Sequence, residues 1–153
     1  MNAPLEIIYR FRARRARAEV EVWAPAEVAA VSSLRGRLGT ALIRLGWSQD
    51  AVSRVAIAVT EALANAVEHG SPTAGRVGFS YRATAESAWV RVTDEGRAGA
   101  AVPVGAPTAP PLQSEGGRGR LLMQALSESY LTRRAGGGTE VVLEFLRLGS
   151  LAD

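Results

Sequence analysis

The stretch from Ser48 to Gly70 constrains this chain more than any other. Val52, Val55, Ala56, Ala62, Leu63 and Ala66 fall within about 60° of Val59 on a helix of 3.6 residues per turn, an apolar stripe that must be covered by another layer. Ser48 is a ready N-cap with Asp50 in the first turn, and Gly70-Ser71-Pro72 breaks the run. Glu61, Asn65 and His69 recur every fourth residue outside that stripe. Their side chains stand one above another and can reach one ligand together.

The flanking segments supply the covering layer. Leu5, Ile7, Tyr9 and Phe11 alternate with mostly polar neighbours, as do Val20 and Val22, so two short strands bracket an arginine cluster. Pro25 is placed to open a helix on which Val28, Val31, Leu34, Leu38, Leu42 and Leu45 repeat until Gly46. Beyond the central helix, Val77 to Ala83 and Trp89 to Thr93 form a hairpin across Ala85-Glu86-Ser87. From Asp94 to Gly117, prolines 103, 107, 110 and 111 bar regular structure, and a loop of this kind inside one domain is read as a mobile lid. A helix from Gly119 then carries Leu122, Leu126 and Tyr130 on one side, and a last hairpin joins Leu131–Arg134 to Thr139–Leu146 through Gly136-Gly137-Gly138. Consecutive antiparallel strands with helices segregated to one face predict an α+β sandwich rather than a doubly wound fold.

Composition removes whole classes of function. The 153 residues suit one domain with its own core. With no cysteine and a single histidine, thiol chemistry, disulfides and Cys/His metal cages are excluded, so any metal must be held by oxygen. No apolar run is long enough to cross a membrane and the first residues lack the order of a secretion signal, which predicts a cytoplasmic protein. The net charge is +3 and all 18 basic residues are arginine. Arg10, Arg12, Arg14, Arg15 and Arg17 cluster without interleaved aromatics or a recognition-helix pattern, so they read as a solvated arm and not as a nucleic-acid site.

Three segments besides the helix carry chemistry. Asp94-Glu95-Gly96 ends a strand, placing a carboxylate that can accept a hydrogen bond from an exocyclic amine beside a residue that lets another group approach its backbone. Gly116-Gly117-Arg118-Gly119 stands before a helix, where unpaired N–H groups and the positive dipole end suit phosphate. It is neither a Walker loop nor a dinucleotide fingerprint. Gly138-Thr139 opens the last strand and can turn a hydroxyl to the same pocket.

In this order the segments resemble the nucleotide-binding domain shared by gyrase, Hsp90, histidine kinases and MutL, the GHKL superfamily with its Bergerat fold. The likeness covers about residues 18–146 and is closest to anti-sigma-factor serine/threonine kinases: Glu61-Ala-Leu-Ala-Asn-Ala-Val-Glu-His69 resembles their N box, and Ser114-Glu-Gly-Gly-Arg-Gly-Arg-Leu-Leu-Met-Gln-Ala-Leu126 their second glycine box. The resemblance implies a histidine-kinase-like ATPase fold, a two-layer sandwich with a mixed, mainly antiparallel sheet. It also implies one domain over residues 1–153, with 1–17 an arginine-rich extension and 97–117 an ATP lid. Asn65 would hold Mg²⁺, Glu61 would be the catalytic base, and Asp94 would bind the adenine amine. Gly96 would border the base, Thr139 would complete its pocket, and Gly116, Gly117, Arg118 and Gly119 would meet the ATP phosphates. The implied partners are a sigma factor, an anti-sigma-factor antagonist protein that is phosphorylated, and a second copy joined through the N-terminal strand and first helix.

The chain departs from the family pattern in three places: Ala98 stands where a second glycine is usual, Arg120 where an apolar residue is usual, and Glu128 is the only acid near the usual Asp after the helix. The first of these points to the alternative, a nucleotide-responsive binding module without phosphotransfer.

Overall fold

The computed structural model describes residues 6–9, 17–70, 75–96 and 118–147. Period-two alternation sets its strands, β1 (Glu6–Tyr9), β2 (Ala18–Pro25), β3 (Arg76–Ala83), β4 (Ser87–Asp94), β5 (Ser129–Ala135) and β6 (Gly138–Leu146). They form one sheet in the order β1-β2-β3-β4-β6-β5. Every pairing is antiparallel. Register aligns Val22, Phe79, Val92, Val141 and Thr132 in one row and Val20, Tyr81, Val90, Leu143 and Tyr130 in the next. Because side chains alternate across a sheet, both rows point to one face, and that face is the buried one.

The helices cover it, as the α+β expectation requires. Helix α1 (Val28–Arg44) buries Leu34, Leu38 and Leu42, and α2 (Gln49–Asn65) buries Ala51, Val52, Val55, Ala58, Val59, Ala62 and Leu63. Helix α3 (Arg118–Leu126) contributes only Met123. Phe79, Phe145, Leu63 and Leu143 are among the largest fully buried side chains, each contributing about 1.5–3 kcal/mol by removal from water. Ser48 caps α2 as expected, its Oγ accepting from the Ala51 N–H at 3.2 Å.

On the other face, which the helices leave open, the Arg82 and Arg91 guanidinium carbons lie 5.3 and 5.6 Å from the Trp89 ring centroid, and Arg76 lies 5.4 Å from that of Trp23. Trp23 rests on Gly78, where a Cβ would come within 2.9 Å of the indole.

Three sequence expectations are corrected. Pro25 does not open a helix; it is the last residue of β2, and the Ala26 N–H bonds the Gly75 carbonyl at 2.8 Å before α1 starts at Val28. Val28 is accordingly 77% exposed and outside the core. Tyr130 belongs to β5 and not to the helix, because the chain leaves α3 at Leu126 and the Glu128 N–H joins the Glu144 carbonyl at 2.8 Å. Its place in the helix core is taken by Met123, with Leu122 exposed. Residue 98 and the segment read as a lid, 97–117, lie outside the described residues, as do Gly116, Gly117 and the arginines from 10 to 15. Among the described residues no helix is long and apolar enough to cross a membrane.

Candidate functional site

The N-terminus of α3 meets α2 where Glu61 and Asn65 project. A Cβ built on Gly119 would lie 2.5 Å from Glu61 Oε2 and 3.6 Å from Asn65 Nδ2, so a side chain here would have to push the Glu61 carboxylate aside. The carboxylate and the amide, both half-buried, thereby share a wall with the first turn of a helix, its positive dipole end. Arg118, the first residue of that helix, is exposed beside them. Arg120 is directed elsewhere: its Nε donates to the Tyr130 hydroxyl at 3.4 Å, and Thr132 Oγ1 bonds the same oxygen at 2.6 Å, tying the first turn of α3 to β5.

A second group forms at the end of β4. Asp94 is 8% exposed, and its Oδ1 accepts the Gly96 N–H at 2.9 Å and the Thr139 N–H at 3.1 Å. Burial raises its pKa above the ordinary carboxylate value, and the bonds from Thr139 and Gly96 pull partly the other way. Among the described residues Oδ2 accepts no hydrogen bond. Gly96 has φ +79°, and a Cβ there would press within 3.0 Å of Gly138 Cα. The β5–β6 turn therefore seats directly on the Asp-x-Gly segment, and the role expected of the Thr139 hydroxyl is filled in part by its backbone.

Glu61, Asn65 and Gly119 are thus brought together, and Asp94, Gly96 and Thr139 form a second cluster. Between the two runs a π-helical turn, Ala66–Gly70, which continues α2. His69 leaves the row it was expected to share with Glu61 and Asn65, because a π turn holds more residues per turn than an α turn. It is exposed, 3.5 Å from Glu68. Glu128 lies at the far end of α3, paired with Arg54 at 3.6 Å.

Sequence reading missed Gly70, which it took only as a terminator. Its Cα lies against Asp94, so that a Cβ would interpenetrate the carboxylate and sit 2.8 Å from the Asp94 Cβ. Its single signal was a glycine one residue past the Glu-Asn-His row.

The arrangement sets a carboxylate and an amide beside a helix N-terminus, with a second, buried carboxylate against the far end of the π turn. Among the described residues no group of three or more His, Asp or Glu could hold a metal ion.

Comparison with known proteins follows the same lines. A family model described as a histidine kinase-like ATPase domain matches residues 24–145. The solved RsbU and RsbW domains of Rv1364c from Mycobacterium tuberculosis share the fold, with a TM-score of 0.63 and 20% identity over 84% of this chain and 32% of that one. This chain therefore spans about a third of that protein's length. None of the curated proteins is similar enough in sequence to match.

Proposed function

This chain belongs to the histidine kinase-like ATPase domain family, and from that premise we propose that it is an ATP- and Mg²⁺-dependent protein serine/threonine kinase. In this reading it binds a sigma factor and phosphorylates the antagonist protein that competes for it. The observation that supports the reading is the closeness of Gly119 to Glu61 and Asn65, which would join base, metal ligand and phosphate site in one wall. The choice of partners rests on the resemblance of the Glu61–His69 and Ser114–Leu126 segments to anti-sigma-factor kinases.

The residues fit the nucleotide. Asp94 Oδ2 would take the adenine amine, Gly96 would border the ring, and Thr139 holds Asp94 in place. Arg118, Gly119 and, from the sequence, Gly116 and Gly117 would meet the phosphates. Asn65 Oδ1 would ligate Mg²⁺, which when bound supplies positive charge across the phosphate oxygens. Glu61 would accept the proton of the acceptor hydroxyl as its oxygen bonds the γ-phosphorus and the bond to the ADP oxygen breaks. The Arg120–Tyr130 bond ties the first turn of α3 to β5 and would help to hold that helix beside Glu61 and Asn65.

Two measurements test this: calorimetry with ATP, ADP and Mg²⁺, and transfer of labelled phosphate to proteins that co-purify from the source cells. Mg²⁺-dependent ATP binding with a labelled antagonist is the expected result. Binding of ATP and a sigma-like partner with no labelled protein under any condition would reduce the reading to a nucleotide-responsive binding module, which Ala98 in place of a glycine favours.

A further inference from the structure

Four described glycines have positive φ, Gly46, Gly96, Gly136 and Gly137, and for them glycine answers a demand of the backbone. Gly70 is not among them. What it supplies is space, and the space is filled by one group: the three atoms nearest a Cβ at this position are Oδ2, Cγ and Cβ of Asp94.

We propose that Gly70 is a positioning residue for base recognition, which by lacking a side chain lets the Asp94 carboxylate keep the pose in which Oδ2 receives the exocyclic amine of a purine. The proposal rests on the reading of Asp94 given above. Asp94 cannot yield to a methyl group cheaply, since its Oδ1 is held from two segments, by Gly96 at 2.9 Å and by Thr139 at 3.1 Å. Nor can the end of β4 retreat. A Cβ on Gly138 would lie 2.7 Å from the Asp94 carbonyl carbon, so strand and turn are already in close contact. The π turn is what delivers Gly70 here: it begins at Ala66, directly after Asn65, and ends on Asp94. One short stretch of backbone therefore links the proposed metal ligand to the proposed base acceptor, and residue 70 is the point of contact.

The test is Gly70→Ala, read by titration calorimetry with ATP and with purine riboside triphosphate, which lacks the 6-amino group, and by amide hydrogen exchange without nucleotide. The unsubstituted protein should prefer ATP. The variant should lose about tenfold of that preference, the size of one charge-assisted hydrogen bond, while its affinity for the analogue stays the same. The Gly96 and Thr139 amides should lose protection while the rest of β4 and β6 keeps theirs. Unchanged preference together with unchanged protection would overturn the proposal. If the unsubstituted protein shows no preference between the two nucleotides, the adenine reading of Asp94 fails, and exchange alone decides on Gly70: loss at those two amides upholds its hold on the carboxylate, and no loss refutes it. Should Gly70→Ala fail to fold, the pair Gly70→Ala with Asp94→Gly, set against Asp94→Gly alone, decides, because it removes every Asp94 side-chain atom that the new Cβ would meet; a pair less stable than Asp94→Gly alone refutes the steric cause.

Discussion

Asp94→Asn changes one atom at the point where two segments converge, and the structure fixes which atom it must be. Oδ1 accepts from the Gly96 and Thr139 N–H groups. An asparagine has to keep its oxygen there, because turning its NH₂ toward two donors would forfeit both bonds. The amide nitrogen then occupies the place of Oδ2 and presents a donor to the adenine amine. The whole charge-assisted bond is lost, worth about 1.5–3 kcal/mol, so ATP affinity should fall on the order of 10- to 100-fold. A 6-oxo purine, whose oxygen accepts, should lose less or gain. In the absence of nucleotide the same change should stabilise the fold near neutral pH. Burial raises the folded-state pKa of Asp94, so the folded protein binds the proton more tightly than the unfolded chain does, and stability is lost as pH rises from the ordinary 3.8 through the folded value. The variant has no such loss. Calorimetry with ATP and GTP, with melting curves from pH 3.5 to 7 on the order of half-unit steps, reads both effects. Equal affinity of the unsubstituted protein for ATP and GTP, or a variant that binds ATP as before, would refute the reasoning.

Other substitutions separate the remaining roles. Asn65→Ala should lower Mg·ATP affinity by at least about tenfold and move the nucleotide-free melting curve by no more than about 0.5 kcal/mol, since Asn65 lies outside the buried stripe; calorimetry with and without Mg²⁺ checks it. Glu61→Gln should reduce phosphate transfer by about 10²- to 10⁴-fold with ATP affinity little changed, because a base acts in the transition state; single-turnover labelling against calorimetry distinguishes the two. Gly119→Ala should depress transfer in single-turnover labelling, as its methyl group would displace Glu61. Phe79→Ala should cost about 3–5 kcal/mol in denaturant unfolding, the usual penalty for a fully buried aromatic ring.

How far these roles could be read in advance depended on the kind of signal. The α2 stripe was legible because Val52, Val55, Val59, Ala62 and Leu63 are buried at helical spacing, although Ala56 is only half-buried and Ala51 and Ala58, also buried, lay outside it; Glu61 and Asn65 were legible because the α-helix persists through residue 65. His69 and Gly70 were not. Nothing in Ala66-Val-Glu-His-Gly70 announces a π turn, whose advantage lies in the contact with Asp94, a residue the local sequence does not contain. Tyr130 was assigned to a helix because Leu122, Leu126 and Tyr130 keep a four-residue spacing, and tertiary pairing of Glu128 with Glu144 overrode it. The Asp-x-Gly and Gly-Thr segments were each weak in isolation; their meaning came from register, which places Thr93 opposite Glu140 and so brings Asp94 beside Thr139.

The strand order also governs how the molecule comes into being. Val20 pairs with Tyr81 across the whole of both helices, and Ala88 with Phe145 across everything from β4 to β6. Such pairings close large loops before they return any contact energy, whereas α1 and α2 are neighbours joined by a short turn and can meet early. The β4–β6 ladder is also what brings Asp94 to Thr139. If Asp94 receives the base as proposed, nucleotide affinity depends on that pairing, and a ligand at about 100 times its dissociation constant would add about 2.7 kcal/mol to the finished fold alone. A nucleotide that binds only the finished fold should therefore slow the unfolding of β4 or β6 variants and raise their folded fraction, while leaving their folding rate unaltered.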